Sequence, residues 1–123
     1  MEHMEQEIWK SIPFSSSYEV SSLGRVRHHF KNGNTRYLKP LRRDLHPGKN
    51  YLYVEIKGKK HYVHRLVAQA FLEDFKDTLT VDHINEIQDD NRASNLRMCT
   101  RGDNIKYYRM NHPKVSKKDS SLS

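Results

Sequence analysis

The chain has 123 residues, 22 Lys+Arg against 15 Asp+Glu, a formal charge of +7 and an isoelectric point near 9.6. That length suits one domain or one compact module with an appendage, and it excludes a large barrel or a doubly wound sheet. Hydrophobic residues are 35% of the chain and mean hydropathy is −0.95, so a thin core is expected, and no apolar run approaches the roughly 20 residues of a membrane span.

The first half alternates with the period of strands. YEVSSLGRVRHHF places β-branched and aromatic residues around a tight turn at Leu23-Gly24. KNGNTRYLKP then offers Asn32-Gly33 as a turn ahead of a short strand. A loop is expected over 42–50, turning at Pro47-Gly48, and it leads into YLYVEIKGKKHYVHR. There Leu52, Val54 and Ile56 share one face and Tyr51, Tyr53 and Glu55 the other, and Lys57-Gly58-Lys59 folds the chain back through His61-Tyr62-Val63.

The period changes at His64. Leu66, Val67, Ala70 and Phe71 recur at helical spacing, which predicts a short amphipathic helix over 64–72. A strand is expected over 80–84, a polar loop over 85–94 and a second strand from Leu96 through Met98. Thr100-Arg101-Gly102-Asp103 has the spacing of a helix cap, so a final helix is expected from 101 to about 110, stopping before Pro113. The closing KVSKKDSSLS is basic and Ser-rich and is expected to be disordered. The fold class is therefore α+β: a β-rich arm over 8–61, a mixed half over 62–112 and a tail over 113–123.

Charge follows the same division. Residues 8–63 carry twelve Lys/Arg against three acids, residues 64–100 four against seven, and residues 101–123 six against two. Basic stretches on both sides of an acidic middle suit a polyanion grasped around a cation site, since basic side chains release counterions when they neutralise phosphates. Arg25 and Arg27 lie two apart on a presumed strand and face one side, and Lys39, Arg42 and Arg43 follow; these are the expected DNA contacts. A solvated charged face is the plain alternative.

Polar residues stand at the joints of the strand–loop–strand–helix segment. Asp82 and His83 are adjacent, so on a strand their side chains face opposite sides. A carboxylate together with an amide oxygen from Asn104 suits a hard cation such as Mg²⁺, which keeps waters and phosphate oxygens as further ligands. A histidine that is not bound to the metal suits a general base. Asn95 opens the second strand.

YVHRLVAQAFL, VDHIN, DNRASNLRMCT and GDN, in this order, resemble the HNH endonucleases, particularly small phage and intron-encoded members, over residues 62–108. IWKSIPFSSSYEVSSLGRVR is similar to the nuclease-associated modular DNA-binding segment that precedes such domains. The resemblance implies a ββα-metal (His-Me finger) fold that holds one divalent cation, Mg²⁺ or Mn²⁺, and hydrolyses a DNA phosphodiester. It implies Asp82 and Asn104 as metal ligands and His83 as the base that activates water. It implies Asn95 as the residue that orients that histidine or bridges the loop. Many relatives carry Gly where this chain has Glu86, so a different turn is expected there. Residues 1–123 show no counterpart of the long C-terminal helix-turn-helix segments of larger homing enzymes, so site recognition is expected to rest on the arm alone.

These features make the expected protein a monomeric nicking endonuclease acting on double-stranded DNA, for which a dimer or two events would give a double-strand break. Its expected setting is the reducing cytoplasm of a bacterium or phage-infected cell, with no membrane association. The lone Cys99 allows no internal disulfide and fits a small buried hydrophobe. His64 is expected to pack or cap, Asn91 to make loop hydrogen bonds, and Trp9, Tyr18 and Val20 to lie in the core. The competing reading is a non-catalytic DNA-binding protein with a regulatory or packaging role, and basic strands with aromatics also suit RNA. His61, His64, His83 and Cys99 match no familiar zinc spacing.

Overall fold

The computed structural model describes residues 5–46 and 49–100, with side chains omitted for 43–46 and 49–50. The expected turn at 47–48, the final helix with Asn104, and the tail lie outside the described residues, as does the side chain of Arg43.

Four strands form the first sheet in chain order: β1 (Trp9–Ile12), β2 (Ser15–Ser21), β3 (Val26–His29) and β4 (Thr35–Tyr37). All pairings are antiparallel, with Val20 opposite Val26 and Glu19 opposite Arg27. Alternation puts Ile12, Val20 and Val26 on the inner face, each almost fully buried. The second sheet is the meander β5 (Leu41–His46), β6 (Lys49–Ile56) and β7 (Lys59–Tyr62). Strand β5 corrects the loop expected over 42–50: it pairs antiparallel with β6, a pairing its polar sequence does not signal. Its last turn places Lys57 at φ +51° and Gly58 at φ +81°, the paired positive dihedrals of a two-residue hairpin turn that matches strand twist.

Strand β7 runs directly into helix α1 (Val63–Phe71), which starts one residue earlier than its periodicity suggests and has no side-chain cap. Its stability comes from packing: Val63, Leu66, Val67 and Ala68 are buried against both sheets and the last hairpin. The chain then forms the antiparallel pair β8 (Thr80–His83) and β9 (Leu96–Cys99), with Asp82 opposite Arg97 and His83 opposite Leu96. One core joins these pieces, drawing Val54 and Ile56 from the second sheet and Val81 and Leu96 from the hairpin. Cys99 is buried at its edge, where the Thr80 hydroxyl donates to the Cys99 carbonyl at 2.9 Å.

Two aromatic assignments need correcting. Trp9 is half-buried on the outer face of the first sheet, because β1 alternates Lys10 and Ile12 to the other side. Tyr18 packs only at the rim of the core, stacked on His28 with ring centroids 4.1 Å apart. Val20 is in the core as expected.

Candidate active site

Strand alternation separates Asp82 from His83: the aspartate is partly exposed and the histidine is buried. Asp82 accepts a hydrogen bond from Nε of Arg97, its cross-strand partner, at 3.0 Å. His83 enters a ring cluster built from three elements. Its centroid is 5.9 Å from Tyr51 on β6, nearly parallel, and 5.1 Å from His64 on α1. His64 also lies 4.7 Å from Tyr51 and 5.4 Å from Tyr62.

The two rings that flank His83 are uncharged. Burial first, then the nearby His83 and Arg65, lower the His64 pKa to about 3, so its imidazole is uncharged at neutral pH. Burial, reinforced by Asp82, raises the Tyr51 pKa and keeps its phenol protonated. His64 therefore packs, as its position at the helix start suggests.

Nε2 of His83 lies 2.7 Å from Oδ1 of Asn91, an asparagine only 4% exposed. An amide oxygen only accepts, so Nε2 carries the proton in this pairing and Nδ1 carries the lone pair. Asn91 was expected only to support its loop. It sits eight residues downstream of His83 in an aperiodic segment, so only the fact that a polar loop must return to its strand pointed to it.

Asn95 directs its side-chain hydrogen bonds to the loop and not to His83. It takes the other role open to it and clasps the loop: Oδ1 accepts from the Asn85 amide N–H at 3.0 Å, and Nδ2 donates to Asn85 Oδ1 at 2.9 Å and to the Asp90 carbonyl at 2.8 Å. Asp90 in turn accepts from Asn85 Nδ2 and, bidentately, from Arg92, whose guanidinium holds its pKa at about 2. A loop with almost no apolar residues is thus fixed by its amides. Glu86, where a different turn is expected, takes the left-handed conformation (φ +66°) that glycine adopts without steric cost, and its N–H donates to the His83 carbonyl at 2.9 Å.

The arm arginines share one stripe. Arg27 lies 3.7 Å from the Trp9 ring centroid and Arg25 4.8 Å from that of Tyr37. Each already has a carboxylate partner: Arg25 pairs bidentately with Glu7, and Arg27 with Glu19, which also meets His29 at 2.7 Å. Arg42 reaches across to Asp89 in the loop after β8, again bidentately. Lys39 stands apart, lining a cavity of about 270 Å³ with Tyr18, His28, Arg36 and Glu55.

A divalent cation can be tested against these residues. Mg²⁺ accepts one or two carboxylates and completes its shell with water and substrate oxygens. Asp82 supplies one oriented carboxylate at a partly exposed position, while His83 points away and is committed to Asn91. The donor chemistry fits a hard cation. Among the described residues no three His, Cys, Asp or Glu side chains gather as a ready-made cage, and no helix is long and apolar enough to cross a membrane.

Residues 61–106 match the HNH endonuclease family and residues 7–57 match the NUMOD4 motif. The chain is 36% identical over 102 residues to DNA endonuclease I-HmuI of Bacillus phage SP01, covering 79% of this chain and 55% of that enzyme. It is 36% identical over 108 residues to the uncharacterized HNH endonuclease L247 of Acanthamoeba polyphaga mimivirus, covering 82% of this chain and 26% of L247. A solved structure described as DNA binding and cleavage by the HNH homing endonuclease I-HmuI superposes with a TM-score of 0.72 at 30% identity, covering 92% of this chain and 66% of the other. The chain thus spans about half the length of the phage enzyme it matches.

Proposed function

This chain belongs to the HNH endonucleases, with a NUMOD4 motif ahead of its HNH domain, and from that premise we propose that it is a divalent-metal-dependent endonuclease that nicks double-stranded DNA. The observation that carries the reading is His83: a buried imidazole with Nε2 fixed on Asn91, one residue from a carboxylate that faces the other side of the same strand.

In this mechanism Nδ1 of His83 removes the proton from the attacking water, and the neutral His64 and Tyr51 rings pack against the imidazole and hold it in place. Asp82 and Asn104 would hold the cation, Mg²⁺ or Mn²⁺, which when bound would supply charge stabilisation to the phosphate and the departing oxygen. Arg97 orients the Asp82 carboxylate. Residues 8–61 serve as the DNA-binding arm and 62–112 as the nuclease half. Arg25, Arg27, Lys39, Arg42 and Arg43 contact phosphates, three of them by exchanging the carboxylates that now hold them. One active site in a monomer cuts one strand per encounter.

The test is relaxation of supercoiled plasmid in Mg²⁺, in Mn²⁺ and with chelator, by the wild type and by Asp82→Ala. The wild type should nick with either metal, and chelator or the substitution should abolish nicking at every metal concentration. No relaxation by the wild type, with salt-sensitive retention of DNA on a gel, would make the protein a non-catalytic DNA binder.

A further inference from the structure

Among the contacts between the NUMOD4 and HNH segments, one backbone approach lies next to the proposed base. The turn between β2 and β3 is rigid: the buried Ser21 hydroxyl accepts from the N–H groups of Leu23 and Arg25, both at 3.1 Å, and the Gly24 N–H donates to the Ser21 carbonyl at 3.0 Å. Gly24 is at φ +92°, and a Cβ built on it would stand 3.1 Å from Cβ of Asn91 and 3.3 Å from its carbonyl oxygen. Two residues further on, the Ala93 N–H donates to the Ser22 carbonyl at 2.8 Å. Asn91 is therefore seated on the arm's turn, and its side chain fixes Nε2 of His83.

We infer that the Ser21–Gly24 turn of the NUMOD4 segment is a positioning element of the nuclease site, setting the His83 ring through Asn91. The inference rests on the nuclease reading above. It makes the arm part of the active site as well as a holder of DNA: the catalytic half lacks a wall without it. Arg25, a proposed phosphate contact, follows Gly24 directly, so the same turn joins the DNA face to the base.

The molecule contains its own control. Gly33, in the turn between β3 and β4, is also at φ +92°, but nothing lies within 4 Å of a Cβ built there. Both Gly→Ala changes impose the same left-handed backbone on alanine, and only Gly24→Ala also pushes on Asn91. In the full-length protein, Gly24→Ala should lower the single-turnover cleavage rate about 10–100-fold with DNA affinity unchanged, the scale of a small misplacement at a reacting group. Gly33→Ala should cleave like the wild type. Asn91→Ala should reproduce the loss, and Gly24→Ala with Asn91→Ala should be no slower than Asn91→Ala alone. The ¹⁵N spectrum of His83 gives a readout independent of cleavage: the Nε2–H form should dominate in the wild type and be lost in both Gly24→Ala and Asn91→Ala.

If Gly24→Ala does not fold, Ala93→Pro deletes only the N–H bonded to Ser22, at a first helical position that tolerates proline, and should slow cleavage by about fivefold. Equal effects of the two glycine substitutions, a loss confined to DNA affinity, or an unchanged His83 signature would overturn the inference. A wild type that does not cleave would remove the nuclease reading, and the His83 spectrum would still decide the positioning.

Discussion

On the outer face of the first sheet Arg25 and Arg27 are held by carboxylates that water reaches, whereas His83 is held by an amide and by uncharged rings in a buried pocket. Ion pairs open to water contribute only about 0–1 kcal/mol and weaken with salt. The Arg25–Glu7 pair, with its guanidinium half exposed, is thus readily exchanged for phosphate, and the part-buried Arg27–Glu19 pair less so. A buried amide–imidazole contact cannot be exchanged with water, and losing one partner leaves the other unsatisfied. One region is thus built to change partners and the other to keep them. The loop over 84–95 spans both kinds, with Arg42 on Asp89 at its rim and the Asn95 clasp within.

The sharpest break in that comparison is at the clasp. Asn95→Ala removes three hydrogen bonds from a buried site and should cost about 3 kcal/mol of stability, read by urea unfolding. A loss below about 1 kcal/mol would show that the loop is held elsewhere.

Acid probes the rings around His83. The unfolded chain protonates His64 near pH 6.5, while the folded protein resists until about pH 3. Stability from this group is therefore present above the unfolded value and falls as pH drops through that window, by about 1.4 kcal/mol per unit. His64→Phe should flatten the difference between urea midpoints at pH 6.5 and pH 4.5. An unchanged difference would show that His64 carries no acid sensitivity in this window. The part-buried carboxylates Glu7 and Asp90, held down to about 2 by their arginines, lose their contribution only below their unfolded values.

The smallest effect concerns Glu86. Its left-handed backbone costs an L-residue about 1 kcal/mol, so Glu86→Gly should raise the thermal midpoint slightly. A lower midpoint would show that side-chain contacts of Glu86 outweigh the strain.

Much of this was legible before the structure. Alternation in YLYVEI, the paired turn residues Lys57-Gly58 and the spacing of Leu66, Val67 and Phe71 are local signals, and they placed the β6–β7 hairpin and the helix within a residue or two, while β5 fell on residues that read as loop. The adjacency of Asp82 and His83 was enough to put them on opposite faces of one strand. What remained hidden depends on contacts between distant segments. Trp9 reads as core by composition, yet its edge strand turns it outward beneath the arginines. Asn91 and Gly24 are ordinary loop residues until three elements bring them together around His83. The carboxylates on Arg25, Arg27 and Arg42 come from residues 18, 8 and 47 positions away, which no charge count along the chain discloses.

The central claim, that an exchangeable charged face binds DNA while a fixed neutral pocket performs the chemistry, is tested by measuring DNA affinity against salt and single-turnover cleavage side by side for two variants. His83→Ala should lower cleavage by about 10²–10⁴-fold and leave affinity and its salt slope intact. Arg25→Ala with Arg27→Ala should flatten the slope by about two units and leave the rate on saturating DNA unchanged. Loss of binding by His83→Ala in proportion to its loss of rate, or an unchanged salt slope in the arginine variant, would contradict the account.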